Sequence, residues 1–212
     1  RLISALLARG VGDEALARAR QLQAVSPGAP EAHILVGDAL GVRGDFAGAA
    51  DQYRRAANLA FSEPVAIRLI EALCRSNQID AADNVLRLFV HQNPRSVPGL
   101  VLLAGREMQA QNWPRAIAIY EGLRQRLGNN DATLLNNLAW AYSESGDVER
   151  AVPLARRAWA LDRDNPATAD TLGWLLFKSG RRAEGLALLE QAARGAPSDT
   201  EIRQRLERAR RG

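Results

Sequence analysis

One short turn motif recurs along the chain at nearly constant spacing, and this repetition constrains the fold more than any other feature. The motif Gly-Asp-apolar-x-x-Ala begins at Gly44 and Gly146, with looser copies beginning at Asn77 and Gly180. The small residues that close the motif lie 33 to 35 residues apart, at Ala15, Ala49, Ala82, Ala116, Ala151 and Gly185. This period is typical of a two-helix unit that can bury its apolar side only by stacking on a neighbour.

Other positions repeat in phase with this turn and predict how the two helices pack. The first helix carries a mostly small residue at Gly37, Ile70, Gly105, Ala139 and Gly173. A bulky residue follows three positions later, at Leu40, Leu73, Met108, Tyr142 and Leu176. Helical spacing places both sets on one apolar stripe, and a small residue there allows the paired helix to approach closely. Asp45, Asp80 and Asp147 stand where an N-cap or first-turn acid is expected.

The pattern as a whole resembles the tetratricopeptide repeat family over essentially the full length. The resemblance implies an all-α fold, a right-handed solenoid of tandem antiparallel helix hairpins with a C-terminal capping helix. It also implies a non-catalytic protein–protein interaction scaffold whose first helices line a concave groove for a polypeptide partner.

We predict one solenoid domain over residues 1–212. Its expected parts are a truncated unit at 1–29, full units at 30–62, 63–97, 98–131, 132–165 and 166–197, and a polar capping helix at 198–212 that buries Ile202, Leu206 and Ala209. The period slips once between Asn93 and Ala132. We expect the extra residue near 95–97, because this register keeps Glu107 out of the core.

Candidate partner-binding residues occupy first-helix positions that packing does not use. Trp140 and Trp174 are 34 residues apart and should stand side by side on the groove wall. Exposed aromatic rings near amides and charges suit a binding hot spot. The alternative is that both rings pack against neighbouring helices as part of the core. The candidates are Arg106, Asn136, Trp140, Ser143, Glu144, Asp170, Trp174, Phe177 and Lys178.

The sequence gives little support for catalysis, metal binding or disulfide bonds. A single cysteine, Cys74, excludes an internal disulfide framework and a cysteine-based zinc site. His33 and His91 fall in different units, and the sequence contains no phosphate loop, dinucleotide fingerprint or Gly-x-Ser-x-Gly motif. We therefore predict no catalytic residues, no metal ligands and no cofactors.

Charge and hydropathy restrict the class of partner but do not identify the partner. The net charge is only +4 and almost every base is arginine, with acids interspersed, which argues against nucleic acid as the partner. Arginines on the second helices favour a solvated outer face, or alternatively a docking stripe for an acidic partner or polysaccharide: Arg20, Arg54, Arg55, Arg87, Arg156 and Arg157. No stretch is long and apolar enough for a membrane span.

A narrower resemblance concerns Asn136–Trp140 and Asp170–Trp174, which look like a pairing in bacterial envelope tetratricopeptide lipoproteins that accompany exosortase and exopolysaccharide systems. It implies a periplasmic or outer-membrane-associated role in polysaccharide assembly or export, and leaves a cytoplasmic location open. Alternative functions are a regulatory or docking segment of a larger enzyme such as a glycosyltransferase, or direct glycan binding. The chain does not begin with Met, so we expect a fragment of a longer protein that self-associates through its truncated N-terminal face.

Overall fold

The computed structural model describes residues 2–211, and every regular element in that range is an α-helix. The helices are α1 Leu2–Ala8, α2 Gly12–Val25, α3 Pro30–Val42, α4 Phe46–Leu59, α5 Glu63–Arg75, α6 Ile79–Gln92, α7 Val97–Gln109, α8 Trp113–Leu127, α9 Ala132–Glu144, α10 Val148–Leu161, α11 Pro166–Lys178, α12 Arg182–Gly195 and α13 Thr200–Arg211.

The chain forms two compact units, residues 1–102 (unit 1) and residues 103–212 (unit 2). Within each unit, helices pack chiefly against the helices next to them in sequence. This local packing is that of stacked hairpins, because a single hairpin cannot bury its apolar stripe alone. The predicted all-α hairpin fold is confirmed, whereas the predicted division into repeat units stays a prediction.

Small residues allow the paired helices to approach closely, as predicted. A Cβ atom on Gly37 of α3 would lie 2.5 Å from Cε1 of Tyr53 in α4. A Cβ atom on Gly185 of α12 would lie 2.6 Å from the Gly173 carbonyl oxygen of α11. Both distances are far below van der Waals contact, so a larger residue at either position would push the two helices apart.

The turns inside the hairpins fix the register of the whole chain. One residue in each turn has a positive φ between 56° and 90°, in order Gly10, Gly44, Asn77, Gln111, Gly146 and Gly180. Gln111 thus takes the left-handed position that glycine takes in most of the other turns. The interval from Gln111 to Gly146 is the long one, and α8 has 15 residues where α6 and α10 have 14. The extra residue therefore lies in the α8 hairpin and not near residues 95–97.

This register corrects the expectation for Glu107, which is not kept out of the core. Glu107 lies four residues before the turn residue Gln111, as the buried Leu40 and Leu73 do before Gly44 and Asn77. The burial pattern agrees with this register, because Ala104 is fully buried and Gly105 only partly so. The Glu107 side chain is only 13 % exposed. Its carboxylate accepts a hydrogen bond from Asn112 Nδ2 at 2.8 Å and pairs with Arg115 at 3.2 Å. These partners make a charge tolerable at a position where the other hairpins place an apolar side chain.

The predicted helix ends are confirmed at several positions. The Asp45 carboxylate accepts the backbone N–H of Gly48 at 2.9 Å, and that of Asp147 accepts the backbone N–H of Arg150 at 3.0 Å. Both are N-cap interactions that satisfy donors left free in a first turn. At the other end of the chain α13 buries the three predicted residues, Ile202, Leu206 and Ala209.

Candidate protein-binding groove

The first helices of unit 2, α9, α11 and α13, lie side by side, and we call the surface they form the groove. Side chains from all three helices line a cavity of about 240 Å³, which we call the inner cavity. Its lining includes Asn136, Trp140, Asp170, Asp199, Glu201 and Arg205. Three of the predicted site residues, Asn136, Trp140 and Asp170, are thus brought to one place.

Arg205 of α13 links the three helices. Its Nη1 forms an ion pair with Oδ2 of Asp170 on α11, and its guanidinium carbon lies 4.4 Å from the centroid of the Trp140 ring on α9. The arrangement combines a charge-assisted hydrogen bond with a cation–π contact. The Trp140 indole is half-buried and has a cation over one face, so it is neither sealed in the core nor fully open.

Two residues that line the cavity each have a buried acceptor atom without a donor among residues 2–211. Oδ1 of Asp170 and Oδ1 of Asn136 are buried and accept no hydrogen bond there. Asp170 as a whole is 3 % exposed. Burial raises the pKa of the Asp170 carboxyl above its ordinary value, and the Arg205 guanidinium opposes that shift. Both oxygens lie beneath the accessible surface of the cavity, so they belong to the packing between α9 and α11.

A second aromatic cluster, formed by Trp174 and Phe177 of α11, packs against α12 and α13. The rings of Trp174 and Phe177 are stacked, with centroids 5.8 Å apart and an interplanar angle of 18°. Both rings contact the buried cluster of Leu189, Leu206 and Ala209. Trp174 is therefore part of the packing between α11, α12 and α13, and it does not line the inner cavity. Trp174 also has a cation over its ring, with the Arg208 guanidinium carbon 5.8 Å from the centroid. A binding role for either tryptophan stays a prediction.

The other predicted site residues are dispersed. Ser143 is 3 % exposed, which contradicts its predicted place on the groove wall, because its side chain is enclosed by the hairpin packing. Glu144 and Lys178 are exposed at helix ends. Arg106 is half-buried, donates a hydrogen bond to Gln109 and does not line the inner cavity. The corrected register explains this, because Gly105 and not Arg106 has the repeat position of Trp140.

Arg205 is the groove residue whose role the sequence did not reveal. In the sequence it is one of five arginines on the polar capping helix, and within that helix nothing in the spacing distinguishes it from the other four. A usable signal existed, since Arg68 has the same repeat position on α5 and donates from Nε to Asp38 at 3.0 Å. An arginine at this position of one first helix thus reaches a carboxylate on the preceding first helix in both units.

Unit 1 has its own cavity, of about 370 Å³, between α3, α4 and α5. Asp38 on its wall accepts hydrogen bonds from the Tyr53 hydroxyl at 2.7 Å and from Arg68. Burial, reinforced by Asp38, raises the pKa of the Tyr53 hydroxyl. The Arg75 guanidinium lies 3.8 Å from the Phe46 ring centroid. Among residues 2–211, no buried side-chain nitrogen or oxygen that lines this cavity lacks a hydrogen bond, in contrast to the cavity in unit 2.

Residues 2–211 contain no recognisable metal site or membrane-spanning helix. No group of three or more His, Cys, Asp or Glu in this range could hold a metal ion, and no described helix is long and apolar enough to cross a membrane. His33 is buried and hydrogen-bonded to Gln23, Gln52 and the Pro27 carbonyl. Most of the second-helix arginines pair with nearby side chains; Arg54, for example, bonds Asp51 three residues away.

Comparison with known proteins agrees with this architecture. One family model described as a tetratricopeptide repeat matches residues 1–63 and 101–166, and a second model with the same description matches residues 143–209. No curated protein matches the sequence significantly.

Solved structures give the same result at low sequence identity. A thermophilic tetratricopeptide protein of Thermus thermophilus is 22 % identical, with 87 % of this chain and 100 % of that chain covered and a TM-score of 0.62. PilF of Pseudomonas aeruginosa is 17 % identical, with 85 % and 88 % covered and a TM-score of 0.68. The C-terminal part of a repeat protein from Cytophaga hutchinsonii is 14 % identical, with 99 % and 84 % covered and a TM-score of 0.72. At these identities the likeness extends to the fold alone.

Proposed function

The chain belongs to the tetratricopeptide repeat family, and we propose that it is a non-catalytic scaffold that binds a polypeptide partner in the groove of unit 2. Stacked hairpins present extended surfaces that suit such binding. The groove is the place where aromatic, amide and charged side chains of three helices converge.

The observation that carries the proposal is the half-exposed Trp140 ring beside buried acceptors. Large aromatic side chains at the centre of an interface supply most of its binding energy, and polar groups around them fix the orientation of the partner. Trp140 has these surroundings, with Asn136 and Asp170 on the same cavity wall. An extended peptide crossing α9, α11 and α13 would cover the ring and meet the exposed Glu201 at the mouth.

A selection from a library of random dodecapeptides on the immobilised full chain tests this proposal. We expect enriched peptides whose affinity falls at least about tenfold when Trp140 is changed to Ala, the loss typical of a hot-spot residue. Trp113→Ala is the matched control, because Trp113 begins α8 and does not line the inner cavity. A library that yields no enriched peptide, or peptides equally sensitive to both substitutions, would contradict the proposal.

A place in bacterial exopolysaccharide assembly or export is a narrower proposal that rests on the Asn136–Trp140 and Asp170–Trp174 pairing. In that setting the partner would be a polypeptide component of an envelope assembly, and the protein would be periplasmic or outer-membrane-associated. Anionic polysaccharide titrated against the intrinsic tryptophan fluorescence separates this from direct glycan binding. A saturable change that Trp140→Ala removes would favour the glycan, and an unchanged spectrum at low salt would favour the polypeptide.

Self-association through the N-terminal face is a separate proposal. It is supported by exposed apolar side chains on α1 and α2, namely Leu2, Leu22 and Val25. Exposed apolar side chains on one hairpin favour association if a second copy covers them. Sedimentation velocity of the full chain should show a concentration-dependent dimer that Leu2→Glu with Val25→Glu abolishes, and a monomer at all concentrations would rule the proposal out.

A further inference from the structure

We propose that Trp174, Phe177, Lys178, Arg182 and Arg208 form a docking surface for an acidic segment of the polypeptide partner, and we call it the basic aromatic surface. The inference rests on the proposed function, because it assigns a second contact and a chemical class to the same partner. The five side chains come from three consecutive helices, α11, α12 and α13.

Each ring of the stacked aromatic pair has an arginine over it. The guanidinium carbon of Arg208 lies 5.8 Å from the Trp174 ring centroid, and that of Arg182 lies 5.6 Å from the Phe177 ring centroid. Both aromatic residues are half-buried and keep some exposed surface. A guanidinium in a cation–π contact uses its flat face, so the N–H groups on its edge remain able to donate to a carboxylate.

The positive charges on this surface have no counter-charge among residues 2–211. Arg182, Arg208 and Lys178 are exposed, and none of the acids on α11, α12 and α13 pairs with them. Those acids all pair with other arginines: Asp170–Arg205, Glu184–Arg181, Glu190–Arg210, Glu201–Arg205 and Glu207–Arg211. The surface therefore carries three surplus cations beside apolar ring surface, which is complementary to a segment rich in carboxylates.

The basic aromatic surface continues the groove that contains Trp140. Arg208 lies three residues after Arg205 on α13, so the two arginines share one face of that helix. Arg205 covers Trp140 on α9, and Arg208 covers Trp174 at the equivalent repeat position of α11. Packed helices lie ~8–10 Å apart, a distance that about three residues of extended peptide span. One peptide can therefore cover Trp140 and place an acid beside Arg208.

Peptides enriched on the full chain provide the test. We expect them to carry Asp or Glu, about three residues from the position whose binding depends on Trp140. Replacing these acids by Asn or Gln should weaken binding about fivefold, because exposed ion pairs are lost while size and shape are kept. This acid-to-amide ratio should shrink in high salt.

A double variant locates the contact. Arg182→Gln with Arg208→Gln should reduce the acid-to-amide ratio to less than about twofold. Arg157→Gln with Arg194→Gln is the matched control, because it removes the same charge from exposed positions on α10 and α12 that have no described contact with an aromatic ring. The control should keep the ratio near fivefold. Circular dichroism and thermal melting check that both double variants are folded.

Four outcomes overturn the inference. Enriched peptides that need no acid would do so and leave the proposed function standing. An unchanged ratio in the Arg182 and Arg208 variant would place the acid elsewhere, and an equal drop in the control would assign the effect to net charge. Acid-free peptides together with saturable binding of alginate, lost in the same variant, would assign the surface to an anionic polysaccharide. Failure to enrich any peptide contradicts the proposed function itself, so the two failures are distinguishable.

Discussion

The guanidinium of Arg205 covers the indole of Trp140 although the two residues are 65 positions apart and lie on helices separated by α11. The same arginine is held by Asp170 on that intervening helix. One side chain from the capping helix thus joins three first helices, and it partly covers the aromatic ring that a partner would contact.

We expect the Arg205–Asp170 pair to be strongly coupled. Arg205→Met should lower the free energy of unfolding by about 3 kcal/mol, because it leaves a buried carboxylate without its counter-charge. The double variant with Asp170→Asn should lose less than the sum of the single changes, by at least about 1 kcal/mol. Urea denaturation of the four proteins measures the difference, and simple additivity would mean that the pair contributes nothing as a unit.

The two groove tryptophans should respond differently to truncation. Trp174→Ala should cost about 2–3 kcal/mol, because the ring is half-buried and contacts Leu206 and Ala209. Trp140→Ala should cost about 1 kcal/mol, chiefly through its contact with Arg205. Thermal melting of both variants checks this order. A larger loss for Trp140 would assign that ring to the core and remove it from the binding surface.

Glu107 should be replaceable by leucine with a gain in stability. It occupies a repeat position where Leu40, Leu73 and Leu176 are buried, and its ion pair with Arg115 is largely solvated on the arginine side. Glu107→Leu should raise the free energy of unfolding by about 1 kcal/mol through added apolar burial, reduced by the loss of the Asn112 hydrogen bond. Glu107→Ala should lower it. The melting temperatures of the wild type and the two variants measure these changes. A leucine variant less stable than the wild type would contradict the revised register.

Gly185 should tolerate no side chain. Gly185→Ala places a Cβ 2.6 Å from the Gly173 carbonyl oxygen and should cost about 1–3 kcal/mol by forcing α11 and α12 apart. Gly122→Ala is the matched control, since a Cβ there meets nothing within 4 Å and should add about 0.5–1 kcal/mol through helix propensity. Equal effects of the two substitutions in denaturation experiments would show that the close approach is unimportant.

Stability should depend on pH in opposite senses at two carboxylates. Burial raises the pKa of Asp170, so its contribution is fully present below the ordinary value of about 4 and is lost as pH rises through the raised pKa. The backbone N–H and side chain of Arg150 lower the pKa of Asp147, so its contribution is present above the ordinary value and is lost as pH falls through the lowered pKa.

The wild-type protein can be compared with each neutral variant, Asp170→Asn and Asp147→Asn, by urea denaturation over an acidic pH series. As pH rises, the stability of the wild type relative to the variant should fall for Asp170 and increase for Asp147. Slopes of the same sign at both sites would show that Arg205, and not burial, controls the titration of Asp170.

The repeat phase was sufficient to predict the fold, because small residues, caps and the apolar side of α13 all follow from local spacing. The predicted close approach at Gly37 and the caps at Asp45 and Asp147 are confirmed for this reason. The register around Glu107 was predicted wrongly, because sequence spacing does not show that Asn112 and Arg115 stabilise a charge at a core position.

The candidate site was less predictable, for a physical reason. Helical periodicity assigns a residue to a face, but it does not tell which long side chain from another helix will cover that face. Arg205 reaches both Asp170 and Trp140 through a flexible stem, and the sequence gives no direct measure of that reach. The burial of Ser143 likewise depends on its neighbours across the hairpin.

The most direct test of the central claim uses the four tryptophans as internal reporters, at positions 113, 140, 159 and 174. Their indole N–H resonances can be assigned in ¹⁵N-labelled protein by single substitutions and followed during titration with an enriched peptide. If the groove of unit 2 binds the partner, the Trp140 signal should shift most and that of Trp174 next, while Trp113 stays unchanged. Saturable shifts at Trp113 or Trp159 with a stationary Trp140 signal would place binding outside the groove and contradict the account.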